Sequence, residues 1–264
     1  MRTDAIELED GRLEGKNLEN YPWYNERHRI FPKVFFHHQY EKILDIAAGV
    51  GIIGKKIDDE TNSFMLCNDI SPESLSNLKR NQLKTISFDL DNKSFFPFKD
   101  NSFDAVISLA TVEHIIHIDS HVNEIKRILA PGGHLYISAP NYSGLQFYVP
   151  YLLNGKSFHD PLKEGLPKYE FYAHVRYFTY KTLLEFIASF GLVPKYVFLS
   201  LPEKSSRYLS LKNRSKLLAY IFRSTIKALY AVATPRWAFH PVLCFEKPGD
   251  AMGNGYHKPK KILV

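Results

Sequence analysis

The feature that most limits what this chain can fold into is an alternation of two hydrophobic periods from residue 40 onward. "KILDIAA", "SFMLCNDIS", "KTISFDL", "FDAVISLA" and "HLYISAP" are short apolar runs of strand length. Between them lie "GIIGKKIDDE", "SPESLSNLKRN" and "SHVNEIKRILA", which read as helices. "FDAVISLA" is almost wholly apolar, as a strand buried on both faces must be. Strands separated by helices cannot pair as hairpins, so the pattern predicts an α/β fold with a parallel, doubly wound sheet. The punctuation agrees. Ser71 and Pro72 stand as N-cap and first residue of a helix, "PGG" ends another, and Gly191 closes "TYKTLLEFIASFG". "LVPKYVFLSL" and "PVLCFEKP" are late strands, while residues 1–20 look loosely ordered.

The first strand runs into "AAGVGIIG", where Gly49, Gly51 and Gly54 spell G-x-G-x-x-G. Read by pattern alone, this is a dinucleotide loop. Physically, a glycine turn lets backbone approach a ligand, and the helix start offers free amides to an anion. A pyrophosphate or a carboxylate satisfies both conditions, so the loop leaves the ligand open. Asp45 lies inside the strand, where a dinucleotide fold normally keeps an apolar residue. A carboxylate there needs a hydrogen-bonding or cationic partner to offset desolvation. Asp69, at the end of the second strand, suits the two hydroxyls of a ribose on either ligand.

The series as a whole resembles the class I S-adenosylmethionine (SAM) dependent methyltransferases. "ILDIAAGVG" is similar to the glycine motif of that family, and "CNDISPESL" to its acidic second-strand motif. "FDL…FPFKDNSFDAVIS" and "RILAPGGHLYISAPN" resemble its third-, fourth- and fifth-strand elements. "HVRYFTYKTLLEFIASFGL" is similar to a helix these enzymes often carry before the sixth strand. The likeness covers residues 40–141 closely, and 174–202 and 241–248 more loosely. It implies a Rossmann-like, doubly wound, seven-stranded, mostly parallel sheet whose last strand, "PVLCFEKP", is antiparallel, with lid insertions.

On that resemblance residues 1–264 form a single methyltransferase domain. Residues 1–39 make an N-terminal cap, 40–141 the SAM-binding core, 142–178 a substrate lid and 203–240 a basic helical insertion. The resemblance places SAM against Asp45, Ala47, Gly49, Gly51, Asp69, Ile70, Asp89, Leu90 and Leu109. Asp45 orients the loop and the ammonium end, and Asp69 takes the ribose hydroxyls. Ile70 meets the adenine, and Asp89 reads its amino group, with Asp91 on the same strand face as the alternative. Leu109 and Ala110 line the sulfonium region. Ala47 replaces the first glycine of the motif, and its methyl fits a right-handed or extended backbone.

Transfer to an acceptor that must lose a proton needs a base. "TVEHI" offers His114, and the aromatic-rich lid offers His159 and His174. Related ubiquinone-pathway O-methyltransferases carry E-x-x-E-H here with a divalent metal. Ala110 stands in place of the first glutamate, so no metal is expected. The acceptor is a small molecule, a glycan or a lipid-linked molecule, methylated at oxygen because no amide-recognition motif follows the fourth strand. The alternatives are an NAD(P)-dependent oxidoreductase using the G-x-G-x-x-G loop, or a non-catalytic SAM-binding protein.

Charge is uneven. Residues 203–240 carry eight basic residues against one acid, a net +7, whereas the other residues carry 26 basic against 27 acidic. That confinement, without an RNA-binding module, argues against nucleic acid. Leu217, Leu218, Ile221, Phe222, Ile226, Leu229 and Tyr230 fall at helical spacing, so one apolar face can pack on the sheet with the charges solvated. The same helix can instead lie on the inner face of an anionic membrane, or attract an acidic substrate. Two cysteines provide no disulfide framework. With no basic, apolar leader and no uncharged apolar run long enough to span a bilayer, the expected location is cytoplasmic.

Overall fold

The computed structural model describes residues 3–21, 26–36, 38–155, 162, 166–233, 235–249 and 257–264. The first five strands are β1 (Lys42–Ile46), β2 (Phe64–Asn68), β3 (Lys84–Ile86), β4 (Phe103–Leu109) and β5 (Leu129–Ser138). β6 (Val193–Leu199), β7 (Val242–Glu246) and β8 (Lys260–Leu263) complete one sheet in the order β3-β2-β1-β4-β5-β7-β6-β8. β7 runs antiparallel to both β5 and β6, and every other pairing is parallel.

The sheet has eight strands rather than the seven expected. β8 adds to the outer edge of β6, pairing Tyr196 with Lys260 through Leu199 with Leu263. Its "KKIL" is too short and too charged to stand out as a strand. β3 is shorter than "KTISFDL" implied. It stops at Ile86, so Asp89 and Asp91 lie in a turn and not on one strand face. Asp91 N–H donates to the Asp89 carboxylate at 2.9 Å, a local turn that competes with the ladder.

Helices α3 (Ile52–Glu60) and α4 (Pro72–Arg80) cover one sheet face, joined by Ile30, Phe31, Val34 and Phe35. α5 (Ile118–Ile128) and α8 (Tyr180–Ser189) cover the other face with Val122, Ile125, Leu183 and Ile187. Ser71 caps α4, its hydroxyl accepting from the Ser74 amide, and Thr179 with Thr182 forms a reciprocal capping box on α8.

The first residues are not loose. α1 (Thr3–Leu13) packs along α4, with Leu13 fully buried against Val50 and Ile52. Asp10 accepts hydrogen bonds from the Ser71 hydroxyl and, at 3.3 Å, from the Glu73 amide. α2 (Glu26–Arg29) follows. The expected lid contains α6 (Leu145–Asn154) and α7 (Leu166–Ala173), and the basic stretch forms α9 (Ser206–Arg214) and α10 (Lys216–Val232). Trp23, Phe158 and His159 lie outside the described residues, as does the side chain of Tyr169.

Candidate active site

A cavity of about 650 Å³ opens at the carboxyl ends of β1, β2 and β4. In an open α/β sheet this edge collects the loops that bind ligands. Ile6, Glu9 and Arg12 of α1 wall one side, and Phe147 of α6 and Phe222 and Tyr230 of α10 wall another. The cavity brings together Asp45, Ala47, Gly49, Asp69, Ile70, Asp89, Leu90, Leu109, His114 and His174.

Gly51 is the one predicted contact that does not line it. Gly51 sits at φ +87° as N-cap of α3, and a Cβ there would stand 2.7 Å from Leu78 and 2.8 Å from Leu83. Its missing side chain serves the close approach of α3 to α4. Gly54 packs in the same way, since its Cβ would stand 2.6 Å from Cys67 Sγ on β2.

Ala47 departs from expectation more sharply. Its φ is +57°, left-handed, not right-handed or extended. An L-residue carries a cost of about 1 kcal/mol there, because Cβ crowds its own carbonyl. Ala110, at the end of β4, is also left-handed at φ +53°. Two strained alanines thus face one cavity, where strain is commonly functional.

Two acids anchor the strand ends. Asp69 accepts from the Gly49 amide at 2.8 Å and from the Ser71 amide at 2.9 Å, which ties the glycine turn to the start of α4. Burial pushes its carboxyl up to about 6, against the lowering pull of those amides. Asp45 is also buried but has no side-chain hydrogen bond among the described residues. Burial, with Asp69 nearby, pushes Asp45 up to about 8. Among the described residues none supplies the partner that a buried carboxylate requires. Asp91 has a structural role, accepting from the His117 amide at 2.6 Å next to α5.

At the far end stand Glu113, His114 and His174. His114 Nδ1 lies 3.0 Å from the Ala173 carbonyl, which can only accept. Nδ1 therefore carries the proton, and in the neutral ring Nε2 has the free lone pair. His174 Nδ1 is 2.8 Å from the Tyr142 hydroxyl. The two imidazoles meet edge to face at 4.8 Å between centroids. The Val175 and Arg176 amides both donate to the Glu113 carbonyl, at 3.0 and 3.2 Å, and fix the two segments together. Both Glu113 carboxylate oxygens are buried with no hydrogen-bond partner among the described residues. Burial raises this carboxyl, opposed by His114 and Arg27. The three residues offer ligand atoms within 4.8 Å of one another, a donor set that also suits a divalent cation.

Sequence reading missed Arg27, His28 and His240, which line the same cavity. Desolvation lowers all three, with His240 pushed down to about 3, so both histidines are neutral near pH 7. The only signal for Arg27 and His28 was "WYNERHRIF", charges set among aromatics before a proline, and nothing singled out His240.

A family model described as "Methyltransferase domain" matches residues 44–137. A demethylmenaquinone methyltransferase of Tropheryma whipplei is 32% identical over 118 residues, 42% of this chain and 48% of that protein. The mitochondrial arginine-hydroxylase NDUFAF5 of Mus musculus is 30% identical over 90 residues, 34% of this chain and 26% of that protein. This chain thus spans between a quarter and a half of the length of these relatives. A phosphoethanolamine N-methyltransferase 2 of Haemonchus contortus, solved with S-adenosyl-L-methionine, has the same fold at 19% identity. Its TM-score is 0.57 over 92% of this chain and 57% of that one. Motif order, sheet order and the matched stretch agree: residues 44–137 match a methyltransferase domain, set in the Rossmann-like fold that the solved methyltransferases share.

Proposed function

We propose that this chain transfers a methyl group from SAM to an oxygen of a small-molecule, glycan or lipid-linked acceptor. The observation that carries the reading is one cavity with two chemically distinct ends. At one end a buried, unpartnered carboxylate, Asp45, awaits a cation beside the Gly49 turn. At the other, His114 is held with Nδ1–H on a carbonyl. The residues at the first end fit SAM: Asp45 complements its ammonium, Asp69 has lone pairs left for ribose hydroxyls, and Ile70 and Leu90 flank the adenine. Asp89 would take the adenine amino group, and Leu109 and Ala47 would line the space for the methionine part. SAM supplies a methyl group activated as a sulfonium.

The rest falls to the protein. α1, α6 and α10 exclude water, and the lid aligns the acceptor oxygen with the methyl carbon. His114 Nε2 would take the acceptor proton as the oxygen gains the methyl group and the donor sulfur is released as a neutral thioether. Ionised Glu113 would steady the imidazolium, and Tyr142 orients His174 as the second member of the pair.

Methyl-labelled SAM and a panel of hydroxyl, amine and carbon acceptors test the reading. Label on oxygen is expected, with kcat in H114A down more than tenfold. Label only on nitrogen or carbon, or a loss in H114A under tenfold, would overturn the oxygen and base assignments. The base reading also requires EDTA to leave the rate unchanged. An EDTA loss restored by one divalent metal would reassign the Glu113–His114–His174 group.

A further inference from the structure

Helix α10 does not fit the expected pattern of one packed face with solvated charges. Ala219, Ile226 and Tyr230 turn inward, with Phe222 and Leu229 against the core. Leu217, Leu218 and Ile221, expected on that same stripe, face out instead. The side opposite the core should be polar. It carries Leu217, Tyr220, Ile221 and Val232 at 66, 68, 50 and 88% exposure. α6 is more unusual, since none of its ten residues is charged or buried. Tyr151, Leu152 and Leu153 are each more than half exposed. Both helices wall the same cavity, α6 through Phe147 and α10 through Phe222.

The charges around these faces select what covers them. Lys212, Arg214, Lys216 and Lys227 are exposed, with no ion pair among the described residues. The single acid of the segment, Glu203, is taken by Arg29 at 3.1 Å and Arg223 at 2.9 Å. A second copy would set +7 against +7, whereas an acidic lipid surface is complementary. Tyr148, Tyr151 and Tyr220 have the amphipathic rings that settle at headgroup level. No described helix is long and apolar enough to cross a membrane, so the contact is interfacial.

We propose that the α6 and α10 faces dock on an anionic lipid bilayer, with the apolar side chains among the headgroups and the basic ones on lipid phosphates. This holds whatever reaction the cavity performs.

Flotation with vesicles of phosphatidylcholine alone, and of phosphatidylcholine with phosphatidylglycerol, tests it. The whole chain should float with the acidic vesicles only, and the bound fraction should fall between about 0.05 M and about 0.5 M salt. The variants L152E/L153E and L217E/I221E should each lower partitioning about tenfold with unchanged thermal unfolding. K212E/K216E, which touches no apolar face, should lower it too and serves if the others unfold. No flotation with acidic vesicles, or unchanged partitioning in all three variants, would overturn the proposal. So would a dimer in solution that L217E/I221E dissociates, since a second copy would then cover the face.

Discussion

Asp45 and Ala47 carry the largest local costs of the site, and each predicts a measurement. Burial raises the Asp45 carboxyl to about 8 in the folded chain, from an ordinary value of 3.8. The folded state then holds a proton that the unfolded state releases between those values. Stability without ligand therefore falls as pH rises from about 4 through 8, by at most about 1.4 kcal/mol per unit. Asp69, raised to about 6, adds to the fall between 4 and 6. Denaturant titrations should show that D45N removes the decline between pH 6 and 8 while weakening SAM binding. An unchanged pH profile in D45N would mean that the buried carboxylate lies elsewhere. Ala47, at φ +57°, should accept glycine with a gain approaching about 1 kcal/mol, less the added chain entropy. A loss of stability in A47G would remove the strain argument.

At the scale of elements, the glycines divide their labour. Gly49 takes positive φ in the turn, while Gly51 and Gly54 let α3 approach α4 and β2. G54A should cost about 1–3 kcal/mol through contact with Cys67, and part of that should return in G54A/C67A. If C67A recovers nothing, the helix–strand contact does not set the cost. α1 is the less obvious element. Asp10 ties it to the N-cap of α4, directly beside the cavity wall formed by Glu9 and Arg12. D10A should cost about 1 kcal/mol and weaken SAM binding several-fold by calorimetry. Unchanged affinity would make α1 a structural strap only.

Across the molecule, what could be read in the sequence followed periodicity. β1, β4 and β5 and the helices α3, α4, α5 and α8 announce themselves because buried strands are apolar throughout and covering helices repeat at their own period. β8 was missed because it is short and charged, and α1 because its charges leave no continuous apolar stripe; both are stabilised by what they pack against and not by composition. The acids at the strand ends were legible because a carboxylate in an apolar run is anomalous. The pairing of His114 with His174 was not, since sixty residues and the lid separate them in the chain and only the folded lid brings the two rings together. The outward apolar side of α10 was hidden because helical spacing shows that residues share a helix, not which side is covered. The central claim is that the glycine turn serves an adenosyl amino acid and not a dinucleotide. Calorimetric titration with S-adenosylhomocysteine and with NADH at pH 7, in two buffers of different ionisation enthalpy, tests it most directly. The prediction is binding of S-adenosylhomocysteine with proton release as its ammonium ionises Asp45, and no heat with NADH. Heat with NADH and none with S-adenosylhomocysteine would contradict it.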